Sequence, residues 1–214
     1  MIAEIAEGCS VKRWATAVLA LAVLVIGCVG YAAWSRTPPW GRPEPAAVAG
    51  AEGDYLVLGT LEELAQQAEL IAVGTVQGVA GTRNLARDPW DPEKPHPSLE
   101  ITGVDYQFAV EEILKGSAPD TILVTEASSL ASRGGEPAEF RGFKEMPSGG
   151  RYVLFLRAVT DGSGNWIGVA EPWRFALRDG QVIVESKWEY ASERFPVTAE
   201  DGFMAQVRTT AGGP

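Results

Sequence analysis

The chain has 214 residues, 46% of them hydrophobic, and a net charge of −10 at neutral pH. This apolar content is enough for a folded core, so the composition excludes a chain that is disordered throughout. The acidic balance repels phosphate backbones, and we expect no nucleic-acid partner. Both cysteines, Cys9 and Cys28, lie near the N-terminus. The rest of the chain therefore has no disulfide, no thiolate metal site and no cysteine nucleophile.

Residues 14–34 form an apolar segment without charge and with a tryptophan at each end. At about 1.5 Å rise per residue, a helix of this length spans the ~30 Å hydrocarbon core of a membrane. Lys12 and Arg13 precede the segment, and basic residues favour the cytoplasmic side. We therefore expect residues 1–13 in the cytoplasm, a single-pass transmembrane helix, and the rest of the chain outside.

Two other fates of this segment place the domain on the same side of the membrane. Residues 25–28 resemble a bacterial lipobox, which would make the chain a lipoprotein through Cys28. Ala32 and Ala33 would suit ordinary signal-peptide cleavage. The apolar run continues beyond Cys28, which a lipoprotein does not need, so the uncleaved anchor is our preferred interpretation.

Residues 35–53 are rich in Pro, Gly and Ala and predict a semi-extended linker. A domain is predicted over 54–210, beginning with a short helix. Thr60 and Glu63 fit a capping box, in which the threonine hydroxyl accepts from the backbone N–H three residues later. The apolar spacing that follows predicts a helix over 61–68.

The remaining sequence predicts strands. Residues 104–110 alternate apolar and polar side chains, which is typical of a strand with one buried face. Within the apolar run 70–79, Gly74 and Gly78 indicate strong coiling or close approach of another backbone. Thr198 and the acidic residues after it predict a short final helix bearing Phe203, Met204 and Val207. Further strands are predicted at 121–125, 151–157 and 166–169.

The dipeptide Asp179-Gly180 predicts a type I′ turn between two paired strands. A two-residue loop fixes the register and places four apolar side chains on one face. The predicted pairs are Leu177 with Val182 and Phe175 with Val184. With at least five strands, one helix at the start and no strand–helix alternation, the domain is predicted to be mainly β, a small barrel.

Three segments in this order, 61–76, 110–116 and 152–156, resemble a group of uncharacterised bacterial exported proteins. More distantly, they resemble the netrin-like modules of tissue inhibitors of metalloproteinases. The resemblance covers 55–184 and implies an OB-like closed barrel. The chain lacks the framework cysteines of those modules, including the N-terminal one that inhibitors use against metal. Protease inhibition and functional residues therefore do not carry over.

No motif for catalysis, a cofactor or a metal stands out. His96 is flanked by prolines, which predicts an exposed loop and not a catalytic triad. Neither HExxH nor CxxC occurs, and no phosphate-binding or nucleophile motif is present. Asp88, Asp91 and Glu93 could supply oxygen ligands to calcium, although acidic turn residues are more often solvated. No catalytic residue, cofactor or metal ligand is predicted.

Two long insertions, 81–103 and 127–150, are predicted between strands. Loops of this length are often functional or disordered, and aromatic residues on barrel loops suit partner recognition. The candidate partner-contact residues are Trp90 in the first insertion and Phe140, Phe143 and Met146 in the second.

These patterns favour a membrane-anchored, non-catalytic binding or scaffold domain of the cell envelope, with an envelope protein as partner. One alternative is a cell-surface hydrolase that uses carboxylates from separate segments. Another is a small-ligand or metal-binding sensor. The three differ in whether polar groups converge on a pocket or the barrel interior is filled.

Overall fold

A computed structural model of the chain describes residues 56–212. The predicted membrane span at 14–34, the cytoplasmic segment before it and the linker lie outside the described residues. Within 56–212, no helix has the length and apolar character needed to cross a membrane.

The described residues form three helices and eleven strands. The helices are α1 (Leu61–Gln67), α2 (Ala191–Arg194) and α3 (Glu200–Thr210). The strands, in chain order, are β1 (Leu70–Asn84), β2 (Arg87–Asp88), β3 (Asp91–Pro95), β4 (Leu99–Lys115), β5 (Thr121–Ser132), β6 (Ala138–Glu139), β7 (Arg151–Ala158), β8 (Trp166–Gly168), β9 (Arg174–Arg178), β10 (Gln181–Glu185) and β11 (Thr198–Ala199).

Five strands close into a ring. β1 pairs antiparallel with β4, and β4 with β5. β5 then pairs parallel with β8, β8 antiparallel with β7, and β7 antiparallel with β1. On its other edge β7 also pairs with β9, from which β10 and β11 continue the sheet. The prediction of a mainly β, barrel-like domain with a short helix at its start is confirmed.

Strand β7 is buried on both faces and separates two apolar cores. Tyr152, Leu154 and Leu156 point into the ring, where they pack against side chains of β1, β4 and β5. Val153 and Phe155 point the other way, into the second core beneath α1 and α3. This continuous burial explains why β7 reads as an unbroken apolar run and not as an alternating one.

The two longer helices are positioned as their sequences predict. The Thr60 hydroxyl accepts a 3.2 Å hydrogen bond from the Glu63 backbone N–H at the start of α1. The Glu63 carboxylate in turn accepts from the backbone N–H of Gly59, one residue before the cap. The predicted apolar face of α3 is buried against the second core, through Phe203, Met204 and Val207.

The β9–β10 hairpin also follows its sequence. Asp179 and Gly180 have φ of 53° and 71°, the positive values that a type I′ turn requires. The predicted pairs form in the predicted register, Leu177 with Val182 and Phe175 with Val184. All four side chains contribute to the second core.

The glycine in the middle of β1 marks a close approach of two backbones. A Cβ placed on Gly74 would lie 2.0 Å from the Ala109 carbonyl oxygen of β4. The pairing of β1 with β4 shifts register at this position and again at Gly78. These irregularities coil the long strand pair into the ring.

The two predicted long insertions are shorter than predicted, because strands extend into both. The first is largely strand, whereas most of residues 133–150 in the second lies outside strands. β1 continues to Asn84 and β4 already begins at Leu99, and β2 and β3 form a separate hairpin between them. β5 continues to Ser132. The prediction failed because the outer halves of these strands have exposed or half-buried side chains and show no clear apolar period.

Candidate functional site

The β2–β3 hairpin carries the most exposed large apolar side chain of the described residues. Trp90 is 94% exposed, in the two-residue connection between paired Asp88 and Asp91. The Asp88 Oδ1 accepts a 2.8 Å hydrogen bond from the Trp90 backbone N–H. Lys94 pairs with the Asp91 carboxylate at 2.6 Å. The turn is therefore closed by local contacts while the indole ring faces solvent.

The base of this hairpin is held on the ring by one amide side chain. The Asn84 Oδ1 accepts from the backbone N–H groups of Ala86, at 2.9 Å, and Ile101, at 3.1 Å. The His96 backbone N–H donates to the Ala86 carbonyl at 3.0 Å, and Ala86 is buried. Both strands of the hairpin are thus tied to the same point, which restricts its movement.

Asp161, in the turn between β7 and β8, links this turn to the strand that leads into the hairpin. Its carboxylate lies 3.2 Å from the Arg83 guanidinium and 3.5 Å from that of Arg87. Hydrogen bonds from Ser163 hold the pKa of the Asp161 carboxyl below its usual range, and the two arginines add to this effect. The hairpin and the Asp161 turn therefore belong to one edge of the ring.

The other predicted contact residues lie differently. Met146 is 1% exposed and belongs to the core inside the ring, and Phe140 is 7% exposed. Phe143 is half-buried. The rings of Phe140 and Phe143 each lie 5.6 Å from the Lys187 ammonium nitrogen, a distance at which a cation is attracted to the ring face. Of the four residues, Trp90 is the one with a freely exposed side chain.

A buried network of charges lies behind these two rings. Glu126 is held by the Arg174 guanidinium at 2.5 Å and by the Lys187 ammonium at 3.3 Å. Arg174 also lies 3.7 Å from Glu185, whose other oxygen meets the half-exposed Arg178. Burial raises the pKa of the Glu126 carboxyl, against the opposing fields of Arg174 and Lys187.

Two tyrosines of the ring interior border this network. The Tyr152 hydroxyl donates to Glu185 at 3.3 Å. The Tyr106 hydroxyl is buried and has no side-chain hydrogen-bond partner within the described residues, while its interaction with the Met146 backbone acts to lower its pKa. Burial, together with the field of Glu126, raises the pKa of Tyr106 to about 12. Both phenols therefore stay neutral at physiological pH.

Part of the network forms the floor of a pocket with a volume of about 410 Å³. Its buried polar groups come from Thr125, Glu126, Glu171 and Lys187, and Arg157 is an exposed cation that also lines it. The remaining wall is largely apolar and is contributed by Leu56, Leu85, Ile167, Val169, Ala170 and Trp173.

The remaining candidates from the sequence do not meet at this pocket. His96 is half-buried beside the β2–β3 hairpin, and its Nδ1 accepts from the Ser98 backbone N–H at 3.3 Å. Within residues 56–212, no three His, Cys, Asp or Glu side chains are grouped so that they could hold a metal ion. Asp88, Asp91 and Glu93 are thus not assembled with further ligands.

Sequence reasoning missed the buried charges, although one signal points to them. Ile122, Val124 and Glu126 alternate along β5, so the carboxylate continues the inward face of that strand. A charged residue in the inward phase of a period-two pattern must find a partner inside the protein. The partner of Glu126 in β9 lies 48 residues further along the chain, and no local pattern identifies it.

Comparison with protein-family models, curated proteins and solved structures found no match to this chain. The resemblance to netrin-like modules therefore stays a prediction, and the functional argument rests on the geometry of the described residues.

Proposed function

We propose that this chain is a membrane-tethered, non-catalytic binding module of the cell envelope, which recognises a protein partner through the β2–β3 hairpin. The observation that carries this proposal is the Trp90 side chain, 94% exposed at the tip of a hairpin that is itself fixed to the ring. An indole in water is unfavourable by itself, whereas buried tryptophans are among the commonest anchors of protein interfaces.

The anchoring of the hairpin favours binding because little conformational freedom remains to be lost. The Asn84 hydrogen bonds and the ion pairs of Arg83 and Arg87 with Asp161 fix its base. Immobilising a flexible loop on association costs free energy that a preorganised one has already lost on folding. A rigid tip with one large aromatic side chain can insert into a pocket of a partner at low entropic cost.

The charges around Trp90 define the chemistry of the partner. Asp88 and Asp91 flank the indole, and Glu93 is exposed on the same hairpin. Lys94 pairs with Asp91, so with three acidic residues and one basic residue the segment 88–94 keeps a net negative charge. A complementary surface has an apolar pocket for the ring and basic side chains around it, because opposite charges steer association and fix its orientation. A basic side chain of the partner can also stack on the indole face. The same carboxylates disfavour nucleic acid.

The strand order supports an OB-like barrel, a five-stranded Greek-key ring, as the fold of this module. Taking β1, β4, β5, β7 and β8 as its five strands, the β2–β3 hairpin lies in the first connection and Asp161 in the last. In OB folds these two connections border the ligand-binding face. The ion pairs between Arg83, Arg87 and Asp161 join these connections in this chain.

A non-catalytic role is supported by the way two of the three buried carboxylates of the described residues are used. Glu126 and Glu185 are each engaged by two cations, which leaves neither available as a proton acceptor for a substrate. The ring interior is filled by apolar side chains. We assign no catalytic residue, cofactor or metal to the domain.

The location follows from the sequence outside the described residues. A span at 14–34 anchors the chain in the cell membrane, and the linker at 35–53 carries the domain on the extracytoplasmic side; lipidation of Cys28 would give the same placement. Protease added to intact cells should remove the domain and spare the N-terminal segment. Full protection of the C-terminus would contradict this topology.

The binding proposal is tested by affinity capture from native membranes with the full-length chain and two matched variants. Trp90→Ala should lose the captured partner, because the anchor is gone, while its thermal unfolding stays unchanged. Tyr190→Ala removes another exposed aromatic side chain, 52% exposed, and should retain the partner. Equal capture by wild type and Trp90→Ala would overturn the assignment.

A further inference from the structure

Glu171 is a buried carboxylate that has no cationic partner within residues 56–212. It is 4% exposed, and no Lys, Arg or His of the described residues forms an ion pair with it. Its Oε2 accepts from the Ser186 hydroxyl at 2.6 Å and from the Lys187 backbone N–H at 3.2 Å. Its Oε1 accepts no hydrogen bond from residues 56–212. Tyr106 Oη is the one side-chain polar atom of these residues that is sealed from solvent without a partner. The Glu171 Oε1 is therefore reached by solvent, and it has no donor from residues 56–212.

The lack of a cationic partner distinguishes Glu171 from the two neighbouring buried carboxylates. Glu126 meets Arg174 and Lys187, and Glu185 meets Arg174 and Arg178. Removing a carboxylate from water is costly unless the charge is paired and its lone pairs are satisfied. Neutral donors of residues 56–212 reach the Oε2 of Glu171 alone. The solvent-accessible Oε1 can therefore accept from a positively charged donor that enters from outside.

This place opens into the pocket of about 410 Å³ described above, which Glu171 lines. The volume falls within the roughly 300–1,000 Å³ typical of small-molecule sites. Around the carboxylate the wall is mostly apolar, with Leu56, Ile167 and Trp173. Of its two buried carboxylates, Glu126 is paired with Arg174 and Lys187, so Glu171 is the one that can orient a ligand cation. The pocket combines this carboxylate with space for a hydrocarbon chain or ring, which is how sites of this kind obtain both affinity and orientation.

The cations near the pocket do not fill this place. The Lys187 ammonium is already engaged by Glu126 and by the Ala127 carbonyl at 2.6 Å, beneath the rings of Phe140 and Phe143. Arg157 also lines the pocket, but its residue is exposed and it makes no ion pair with Glu171. A cation that pairs with Glu171 would therefore come from outside residues 56–212.

We propose that this pocket binds a small organic ammonium ion, with its charged nitrogen on Glu171 and its apolar body against Leu56, Ile167 and Trp173. The Oε1 of Glu171 accepts from the ammonium in a charge-assisted hydrogen bond, which is stronger than one between neutral groups. This site is separate from the Trp90 hairpin, so the proposal of ammonium binding does not depend on the proposed protein partner.

The backbone of residues 56–58 is hydrogen-bonded to that of Glu171 at this pocket, so amide signals there can report ligand binding. The Leu58 backbone N–H donates to the Glu171 carbonyl at 3.0 Å, and the Glu171 N–H to the Leu56 carbonyl at 2.7 Å. Binding at Glu171 should therefore shift the backbone amide signals of Leu58 and Glu171. The amides of Trp90 and Asp91 should not move.

The experiment is a titration of the full-length chain, in detergent micelles, with phenethylammonium and with its neutral analogue phenethyl alcohol, followed by amide NMR. We expect saturable shifts around Glu171 with the ammonium ion and at least tenfold weaker binding of the alcohol, since a hydrogen bond to a charged group is lost. Equal affinity for both, or no shift around Glu171 with either, would overturn the proposal.

Four variants separate ligand recognition from structure. Glu171→Gln should weaken phenethylammonium binding at least tenfold, while Glu112→Gln, a surface carboxylate paired with Arg208, should leave it unchanged. Leu56 lines the pocket but is 60% exposed, so a charged side chain is accommodated there. Leu56→Lys should weaken binding and Leu56→Glu strengthen it. If Glu171→Gln does not fold, the two Leu56 variants test the site. A change of phenethylammonium affinity in the same direction in both variants would contradict it.

Discussion

The ammonium group of Lys187 lies 3.3 Å from the carboxylate of Glu126, with both side chains at most 5% exposed. The pair joins the segment after β10 to β5, and the rings of Phe140 and Phe143 cover it. A pair this deeply buried gains little over apolar packing, but it is costly to break, because the remaining charge is stranded.

Lys187→Met should therefore destabilise the domain clearly. We expect a loss of about 3 kcal/mol in the free energy of unfolding, at the low end for a broken buried pair because Arg174 still meets Glu126. Denaturant unfolding of the two proteins measures the difference. Lys144→Met is the matched control: its side chain is exposed, and a change within about 0.5 kcal/mol is expected. Equal midpoints for all three proteins would show that the buried pair contributes nothing.

The β9–β10 turn provides a test of backbone conformation alone. A Cβ on Gly180 meets no atom within 4 Å, yet the residue has φ of 71°, so a β-branched side chain there suffers strain without a clash. Gly180→Val should cost about 1–3 kcal/mol of stability and lower the denaturant midpoint. Asp179→Asn should change it little, since asparagine tolerates positive φ. An unchanged midpoint in Gly180→Val would mean that the turn relaxes freely.

The junction between Asp161 and the hairpin should depend on pH in a defined direction. The folded pKa of Asp161 is lowered, so its ionised form stabilises the fold above the ordinary aspartate value of about 3.9, and this contribution is lost as the pH falls through the lowered pKa. Ser163→Ala removes the side chain responsible for the largest contribution and should raise the pKa of Asp161 in a carboxyl NMR titration. Ser117→Ala, on another exposed turn, should not. Identical titrations in all three proteins would refute the hydrogen-bond origin of the shift.

How far the sequence predicts this structure depends on whether the pattern is local. The capping box of Thr60, the Asp179-Gly180 turn and the apolar face of α3 are each specified within a few residues, and all three form as predicted. The length of β1 was underestimated, because its outer half is stabilised by pairing with β4 and not by burial of one face.

The candidate site residues likewise differ in whether a local sequence pattern specifies their exposure. Trp90 stands among prolines and acidic residues, which predict an exposed tip, and it is exposed. Phe140 and Met146 were predicted on the same reasoning, yet their side chains are buried because Lys187 and the ring interior, both remote in sequence, lie beneath them. The Glu126, Glu171 and Arg174 group joins β5 to the segment around β9, and long-range pairing of this kind leaves no signature in the spacing of a single sequence.

The central claim, that the β2–β3 hairpin is the partner-binding tip, is tested most directly by a photo-crosslinking residue placed at position 93 of the full-length chain in native cells. Position 93 is exposed on the same hairpin and leaves Trp90 intact. The same residue at position 190 serves as the reference. We expect one discrete crosslinked protein from position 93 that is absent from position 190 and is competed away by excess unlabelled domain, but not by a Trp90→Ala domain. No crosslinked protein from position 93, or the same pattern from both positions, would contradict the claim.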